Sequence, residues 1–224
     1  MLQRHDLPPE YFGEGIVDWG SYLLEWTWKS HICFVYDRQT FRRVTQFSYK
    51  GEGWGMTRTP TELITRDGTA TLRFRDPSTF QINRSIVVKD GRRVIERLNE
   101  LEFIKGEIYA NVWQTDRIAR ISPRDGRVIA WIDLSGLLPS GQVLDADSVL
   151  NGIAYDAQLD ASLLPGNSGR RYLKSRLFPV LPRTCMSTKR GTPFRPRPGC
   201  QRLVVFTGIE QSISSARFQW RVAT

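Results

Sequence analysis

The 224-residue sequence predicts an all-β fold, an incomplete β-propeller that is followed by an irregular C-terminal tail. Three observations support this prediction. Short segments alternate between apolar and polar residues, which is the period of a half-buried strand. Turn residues separate these segments at regular intervals. A Gly-Glu-Gly core occurs at residues 13–15 and again at residues 51–53, and recurrence at this spacing is typical of a repeat fold.

The predicted strands follow a plan that is used three times. In each copy, two strands flank a turn that contains Asp or Pro: residues 32–36 and 41–49, then 71–75 and 80–88, then 117–121 and 127–134. Asp37 to Asp76 is 39 residues and Pro77 to Pro123 is 46 residues. Four strands in about 40–50 residues is the repeat of a propeller blade. We therefore count about three full blades and the first strand of a fourth, near residues 149–156.

The charge is distributed unevenly along the chain. Residues 1–156 carry 20 Lys and Arg against 21 Asp and Glu, whereas residues 157–224 carry 12 against 2. Six of the twelve prolines also lie in the second segment. We therefore divide the chain into a partial propeller, residues 1–156, and a basic Pro- and Arg-rich tail, residues 157–224, which we expect to be poorly ordered. The tail has little aromatic interleaving and no nucleic-acid motif, so we expect no nucleic-acid partner.

The composition argues against several classes of site. Two histidines and three cysteines lie without metal-ligand spacing, so we expect neither a metal ion nor a cofactor. No apolar run is long enough for a membrane span. The first residues also lack the apolar segment of a signal peptide.

The strongest chemical signal is a carboxylate between two glycines. Glu14 follows the aromatic Phe12 and is flanked by Gly13 and Gly15. Such a setting suggests a place where the backbone comes close to a ligand. The alternative is a surface turn, which is the usual meaning of an isolated Gly-Glu-Gly.

Six blocks of sequence carry a family resemblance. They are Tyr-Phe-Gly-Glu-Gly at 11–15, Leu-Glu-Trp-Thr-Trp-Lys at 24–29, Gly-Glu-Gly-Trp-Gly at 51–55, Arg-Leu-Asn-Glu-Leu-Glu at 97–102, Ala-Asn-Val-Trp-Gln-Thr-Asp at 110–116 and Val-Leu-Asn-Gly-Ile-Ala-Tyr-Asp at 149–156. In this order, over about residues 8–156, they resemble the plant and bacterial type of glutaminyl-peptide cyclotransferase, the glutamine cyclotransferase family. The resemblance implies a five-bladed β-propeller that converts the N-terminal glutamine of peptides to pyroglutamate, releases ammonia and needs no catalytic zinc.

The resemblance also implies roles for single residues. Glu14 matches the catalytic carboxylate, the general acid/base, and Asn99 matches the group that orients the substrate's γ-carboxamide or α-amine. Four residues match the aromatic walls of the pocket: Phe12, Trp28, Trp54 and Trp113. We interpret five other residues as structural, with the glutamates structural or solvated: Trp19, Trp131, Glu52, Glu100 and Glu102.

The sequence departs from the family at both ends. A blade with a Phe-Thr-Gln-Gly block is expected ahead of Tyr11, and so is a secretion signal, since the family is secreted or periplasmic; with neither present, localisation stays open. After Asp156 the family has a Phe-Val-Thr-Gly-Lys-x-Trp-Pro block, whose lysine belongs to the active site. The sixteen residues 160–175 can be encoded so that reading one base earlier yields Phe-Val-Thr-Gly-Lys-Gln-Trp-Pro. We therefore hypothesise a frameshift near residues 157–160.

Three functions stay open at this point. The first is a monomeric cyclotransferase that acts on peptides or proteins with an N-terminal glutamine. The second is an inactive, truncated and frameshifted remnant of that enzyme. The third is a propeller-like binding scaffold.

Overall fold

The computed structural model describes residues 5–135, 151–156, 161–165, 172–176 and 206–207. These residues form strands and turns, and no helix occurs among them. The first sheet contains β1 (Gly13–Trp19), β2 (Tyr22–Thr27), β3 (Ile32–Asp37) and β4 (Arg43–Ser48). The second contains β5 (Met56–Arg58), β6 (Leu63–Thr65), β7 (Thr71–Arg75) and β8 (Ile82–Val87). A short ribbon follows, β9 (Lys89–Asp90) and β10 (Arg93–Val94).

The remaining strands form two further sheets. The third sheet contains β11 (Leu98–Ile104), β12 (Glu107–Val112), β13 (Arg117–Ile121) and β14 (Val128–Asp133). The fourth contains β15 (Ala154–Asp156), β16 (Ala161–Pro165), β17 (Tyr172–Arg176) and β18 (Phe206–Thr207). In all four, each strand pairs antiparallel with the next along the chain. The predicted all-β fold is confirmed, and β7 and β13 have the predicted bounds.

The first strands of the sheets lie side by side. β1 contacts β5, β5 contacts β11, and β11 contacts β15. Neighbouring sheets enclose a core between them. One core joins the first and second sheets, with Leu24, Trp26, Cys33, Met56 and Leu63 among its members. Another joins the second and third, with Ile64, Leu72, Phe74, Leu101, Ile108 and Ala119 among its members. Trp19 and Trp131, read from sequence as core, are partly buried against these clusters.

The pairing register shows which positions of the sheets are equivalent. In the first three sheets, the first and second strands form a hairpin that contains one pair of residues nine positions apart in sequence. These pairs are Ile16 with Glu25, Met56 with Thr65 and Leu101 with Ala110. Ile16, Met56 and Leu101 therefore occupy the same position in three consecutive sheets. Other residues of the three sheets are matched by counting the same number of positions along the chain from these pairs.

The turns between the third and fourth strands repeat as well. Each ends in a residue with left-handed backbone, at φ 53° for Phe41, 62° for Phe80 and 76° for Gly126. The amide of each donates to the carbonyl four residues earlier. The carboxylates of Asp37 and Asp76 accept backbone amides within the first two turns. Asp therefore fixes these turns by local hydrogen bonds, as the sequence predicted.

The fourth sheet differs from the expectation of a single strand and an irregular tail. β16, β17 and β18 all lie beyond residue 156 and continue the sheet that β15 begins. Strand pairing uses backbone groups, so a Pro- and Arg-rich composition does not prevent short pairings of this kind. The apolar run Leu-Val-Val-Phe at residues 203–206 predicts one strand in the tail, and it lies mostly outside the described residues.

Candidate functional site

Glu14 is the extra residue of a β-bulge. Gly13 pairs with Thr27 while Gly15 pairs with the adjacent Trp26, so the ladder skips Glu14. Bulges redirect a side chain out of the regular alternation. A Cβ on Gly15 would lie only 3.1 Å from the backbone of the neighbouring first strand, so the frame around Glu14 is tightly packed.

Glu14, Trp54 and Asn99 occupy one equivalent position. Each lies two residues before the matched residues Ile16, Met56 and Leu101 of the three sheets. The register thus aligns residues 13–15 with residues 53–55, which corrects the match to residues 51–53 that the repeated letters suggested. The first strands of the sheets are neighbours. The three residues, which were chosen from the family resemblance, therefore lie side by side at the same height, at the start of adjacent strands.

The four aromatic residues form two edge-to-face pairs. The rings of Phe12 and Trp28 are 5.9 Å apart, and those of Trp54 and Trp113 are 6.0 Å apart. Phe12 is 49% exposed, so its ring lies at the surface of the group. Edge-to-face contact is a favourable geometry for aromatic rings.

Glu52 connects the two aromatic pairs. One oxygen of its carboxylate, Oε2, accepts the indole N–H of Trp28 at 2.9 Å and that of Trp54 at 2.8 Å. Lys29 lies 4.0 Å from the other oxygen. The hydrogen bonds from Trp54 and Trp28 hold the pKa of Glu52 below its ordinary value. Glu52 is therefore an ionised clamp on two walls of the group.

The carboxyl of Glu14 has the electrostatics of an acid/base group. Burial raises its pKa to about 7, Arg66 opposes this rise, and the charge of Glu52 adds to it. Among the described residues none donates a hydrogen bond to this carboxyl. A group with this pKa and no internal partner is suited to exchanging protons with a ligand.

Arg66 is a buried cation beside this group. The side chain is fully buried, and its guanidinium lies 4.5 Å from the centre of the Trp54 ring. None of its three nitrogens has a hydrogen-bond partner in the described part of the chain. Burial lowers its pKa to about 9, against the opposing charges of Glu100, Asp67 and Glu14.

Glu100 and Glu102 differ in what surrounds them. Burial, and then the charge of Glu14, raise the pKa of Glu100 to about 8. Glu102 accepts the backbone amide of Tyr155 at 3.1 Å and so ties the third sheet to the fourth. This bond agrees with the structural interpretation of Glu102, whereas Glu100 is acted on by the charges of Glu14 and Arg66.

Asn99 is 7% exposed and lies at the bulge that opens β11. Its backbone carbonyl packs against Gly55, where a Cβ would overlap it. The structure therefore places Asn99 beside the Trp54 segment, and Gly55 is needed for that approach.

Sequence reasoning missed Arg66 and the bridging position of Glu52. Arg66 belongs to none of the six blocks, and only the register reveals its position, equivalent to Trp26 and Asn111 on the second strands. The position of Glu52, two residues before Trp54, could have indicated this role, because its carboxylate can reach the indole N–H from there.

The described residues contain neither a cluster of metal-binding side chains nor a membrane-spanning helix. No group of three or more His, Cys, Asp or Glu is arranged there to hold a metal ion. No helix in that part of the chain is long and apolar enough to cross a membrane.

Comparisons with known proteins point to one family. The pattern of the glutamine cyclotransferase family matches residues 1–171, past the boundary expected at residue 156. A glutaminyl-peptide cyclotransferase of Arabidopsis thaliana is 40% identical over 176 residues, which are 76% of this chain and 52% of the relative. The chain therefore spans about half the length of this curated relative.

Two solved structures resemble the chain. The glutaminyl cyclase of Myxococcus xanthus matches with a TM-score of 0.65 and 33% identity, over 70% of this chain and 68% of that one. A Bacteroides caccae protein of unknown function matches with a TM-score of 0.51 and 12% identity, over 77% and 60%. The second match shows a shared fold alone.

Proposed function

Because the chain belongs to the glutamine cyclotransferase family, we propose that it is a glutaminyl-peptide cyclotransferase that converts N-terminal glutamine to pyroglutamate. In this reaction the α-amine nitrogen bonds to the γ-carboxamide carbon, and the bond from that carbon to the amide nitrogen breaks. One proton leaves the α-nitrogen and one reaches the departing nitrogen, which leaves as ammonia. The protein must therefore both accept and donate a proton.

The observation that carries the proposal is the Glu14 carboxyl. Its pKa of about 7 makes both protonation states available near neutral pH. Glu14 lies at the same height on its strand as Trp54 and Asn99 do at the first strands of the neighbouring sheets. Glu14 acts as the general acid/base, and Asn99 orients the carboxamide or the amine. Because both reacting groups belong to one residue, holding them in position supplies much of the rate.

The aromatic residues hold the substrate's stem and exclude water. Support comes from the two ring pairs, Phe12 with Trp28 and Trp54 with Trp113, that Glu52 links. The proposal includes a five-bladed β-propeller, supported by four-stranded meanders whose first strands are neighbours. The enzyme acts as a monomer on peptides with N-terminal glutamine and uses no metal ion.

An ammonia-release assay tests this function. The full chain is incubated with a peptide that begins with glutamine, and Glu14→Gln should lower kcat by about 10²–10⁴-fold, the usual contribution of a general acid/base. Glu10→Gln, an exposed glutamate four residues earlier, is the matched control and should keep the wild-type rate. A peptide that begins with asparagine should release nothing, because its shorter side chain would close a strained four-membered ring. Equal turnover by Glu14→Gln and wild type would contradict the role of Glu14.

The charge and proline break after residue 156 favours the second candidate, an inactive frameshifted remnant. The family match through residue 171 weighs against a break at residues 157–160. A folded chain without ammonia release would support the remnant. Sequencing the gene tests the frameshift: an alternative frame that does not encode Phe-Val-Thr-Gly-Lys-x-Trp-Pro would refute it.

A further inference from the structure

We propose that Glu100 is a second proton-carrying group of this site and that it shares one proton with Glu14 beside the buried guanidinium of Arg66. The catalytic part of this inference rests on the proposed function, because the shared proton serves the cyclisation. The arrangement of the three groups is an independent, measurable property of the chain.

The register directs Arg66 toward the third sheet. Trp26, Arg66 and Asn111 hold equivalent positions, each one residue beyond the matched partner on the second strand, and Arg66 directly follows the last residue of β6. The indole nitrogen of Trp26 lies where a Cβ of Gly53 would be, at the opening of the next sheet. Asn111 likewise accepts the amide of Gly152, at the opening of its next sheet, at 3.0 Å. By the same geometry Arg66 reaches the opening of the third sheet, where Asn99 and Glu100 lie.

The burial of Arg66 requires a nearby negative charge. The side chain is 0% exposed, and its guanidinium nitrogens have no hydrogen-bond partner among the described residues. A buried cation without compensation is strongly unfavourable. The opposing charge that acts most strongly on Arg66 is that of Glu100, followed by Asp67 and Glu14. A site that keeps one negative charge shared between Glu14 and Glu100 meets this requirement.

Glu100 stands where the other sheets have glycine. Counted from the matched pairs, it is equivalent to Gly15 and Gly55. Its Cα lies 3.1 Å from the position of a Cβ on Gly55, so the backbone of Glu100 packs against the second sheet at this level. Its side chain receives no hydrogen bond from a described residue, which leaves it able to exchange a proton.

The groups that face the two carboxyls set the order of their titration. Glu14 faces Arg66, Glu52 and Tyr49, Glu100 faces Glu14, Arg66 and Glu102, and Asp67 faces Arg66. Burial raises the pKa of Glu100 to about 8 and that of Glu14 to about 7. Near neutral pH the pair therefore retains a proton, and we assign it to Glu100, with Glu14 as the base.

The shared proton balances the cyclisation. Glu14 takes the proton that the α-nitrogen loses as it bonds to the carbon of the side-chain carboxamide. Glu100 gives its proton to the amide nitrogen as the carbon–nitrogen bond breaks and ammonia leaves. The pair starts and ends with one proton, and its transfer from Glu14 back to Glu100 restores the starting state.

Carbon-13 NMR titration of the glutamate carboxyls in the full chain tests the pair without requiring activity. Glu14→Gln should lower the titration midpoint of Glu100 by about one pH unit, because Glu100 loses its proton against the ionised Glu14. Glu100→Gln should leave the midpoint of Glu14 nearly unchanged, because Glu14 ionises while Glu100 is still protonated. Arg66→Gln should raise both midpoints, whereas Arg66→Lys should largely preserve them. Glu96→Gln, an exposed glutamate four residues before Glu100, should move neither. An unchanged midpoint of Glu100 in the Glu14→Gln variant would overturn the proposal.

The pH profile of kcat separates catalysis from structure. Wild type should lose activity at high pH, where Glu100 has no proton to give, and Glu100→Gln should abolish that limb while lowering kcat. A structural role would lower kcat equally at every pH and would overturn the catalytic part. Coupled midpoints without ammonia release by wild type would reject the proposed function and uphold the pair. Uncoupled midpoints together with normal ammonia release would uphold the proposed function and reject the pair.

Discussion

Glu52 shows how one carboxylate can organise a group of aromatic side chains. It accepts the indole N–H of both Trp28 and Trp54 through the same oxygen. Each indole is also held by a ring partner, Phe12 or Trp113. The four rings are therefore fixed relative to one another by one anion, and their spacing depends on it.

Replacing Glu52 should loosen the tryptophans and weaken substrate binding. We expect Glu52→Ala to raise KM about tenfold, since a hydrogen bond to a charged group contributes about 1.5–3 kcal/mol and solvent screening reduces this for the partly exposed Glu52. Tryptophan fluorescence anisotropy should fall in the same variant. Glu52→Gln removes the charge but keeps an acceptor oxygen, so it should raise KM less. An equal rise in both variants would show that the charge acts and that the clamp does not.

Single residues also mark the limit of sequence reasoning. Phe12, Glu14 and Trp54 were found because they belong to recognisable blocks, and the structure sets Phe12 and Trp54 into paired rings linked through Glu52. Arg66 was not found, because an arginine carries no sign of burial in a one-dimensional pattern and most arginines are exposed. Only the neighbouring sheets decide that this one is enclosed.

At the scale of elements, the bulges and glycines at the start of the first strands position the site. Gly53 lies against Trp26 and Thr27 of the preceding sheet so closely that any Cβ would overlap them. Gly55 meets the backbone of Asn99 in the same manner. These glycines therefore set the distance between neighbouring sheets.

Gly53→Ala should destabilise the fold and disturb the site together. We expect a loss of about 1–3 kcal/mol in the free energy of unfolding, the usual cost of overpacking, measured by urea denaturation. Gly20→Ala is the control: Gly20 has φ 58° but no atom near its Cβ position, so it carries only the conformational cost of about 1 kcal/mol. A smaller loss for Gly53→Ala than for the control would mean that the sheets can move apart.

The elements that sequence predicted best are those bounded by strong turns. β7 ends at Asp76-Pro77, and β13 ends just before Pro123, and both have the predicted bounds. Beyond residue 156, β16 and β17 were not predicted, because neither shows the alternation of apolar and polar residues that marks the earlier strands. Their pairing is a property of the folded backbone.

For the whole molecule, buried carboxyls should make stability depend on pH. Burial raises the pKa of Glu25 and Glu102 to about 7, as it does for Glu14, and that of Glu100 to about 8. The folded state therefore holds protons that the unfolded chain releases near pH 4.5, so this contribution is complete below that pH and is lost as pH rises through 7 to 8. Local hydrogen bonds lower the pKa of Asp76 to about 2. Its contribution to the free energy of unfolding therefore has the opposite pH dependence and is lost as the pH falls toward 2.

Tm should therefore fall between pH 5 and pH 8.5, as measured by circular dichroism. Glu25→Gln removes one of the titrating groups, so the Tm of this variant should fall less over the same range. Glu96→Gln, exposed and without a resolved role, should keep the wild-type slope. A Tm that rises across this interval would contradict the assignment of the raised groups.

The equivalence of Glu14, Trp54 and Asn99 has a kinetic consequence. Hairpin partners within a sheet are nine residues apart, whereas these three side chains are separated by 40 and 45 residues of chain. Closing the longer loops costs more entropy, so contacts across the sheets should form after the hairpins and open before them. During refolding, strand signal in far-ultraviolet circular dichroism should return first, and the proposed cyclisation of glutamine should be the last property to recover.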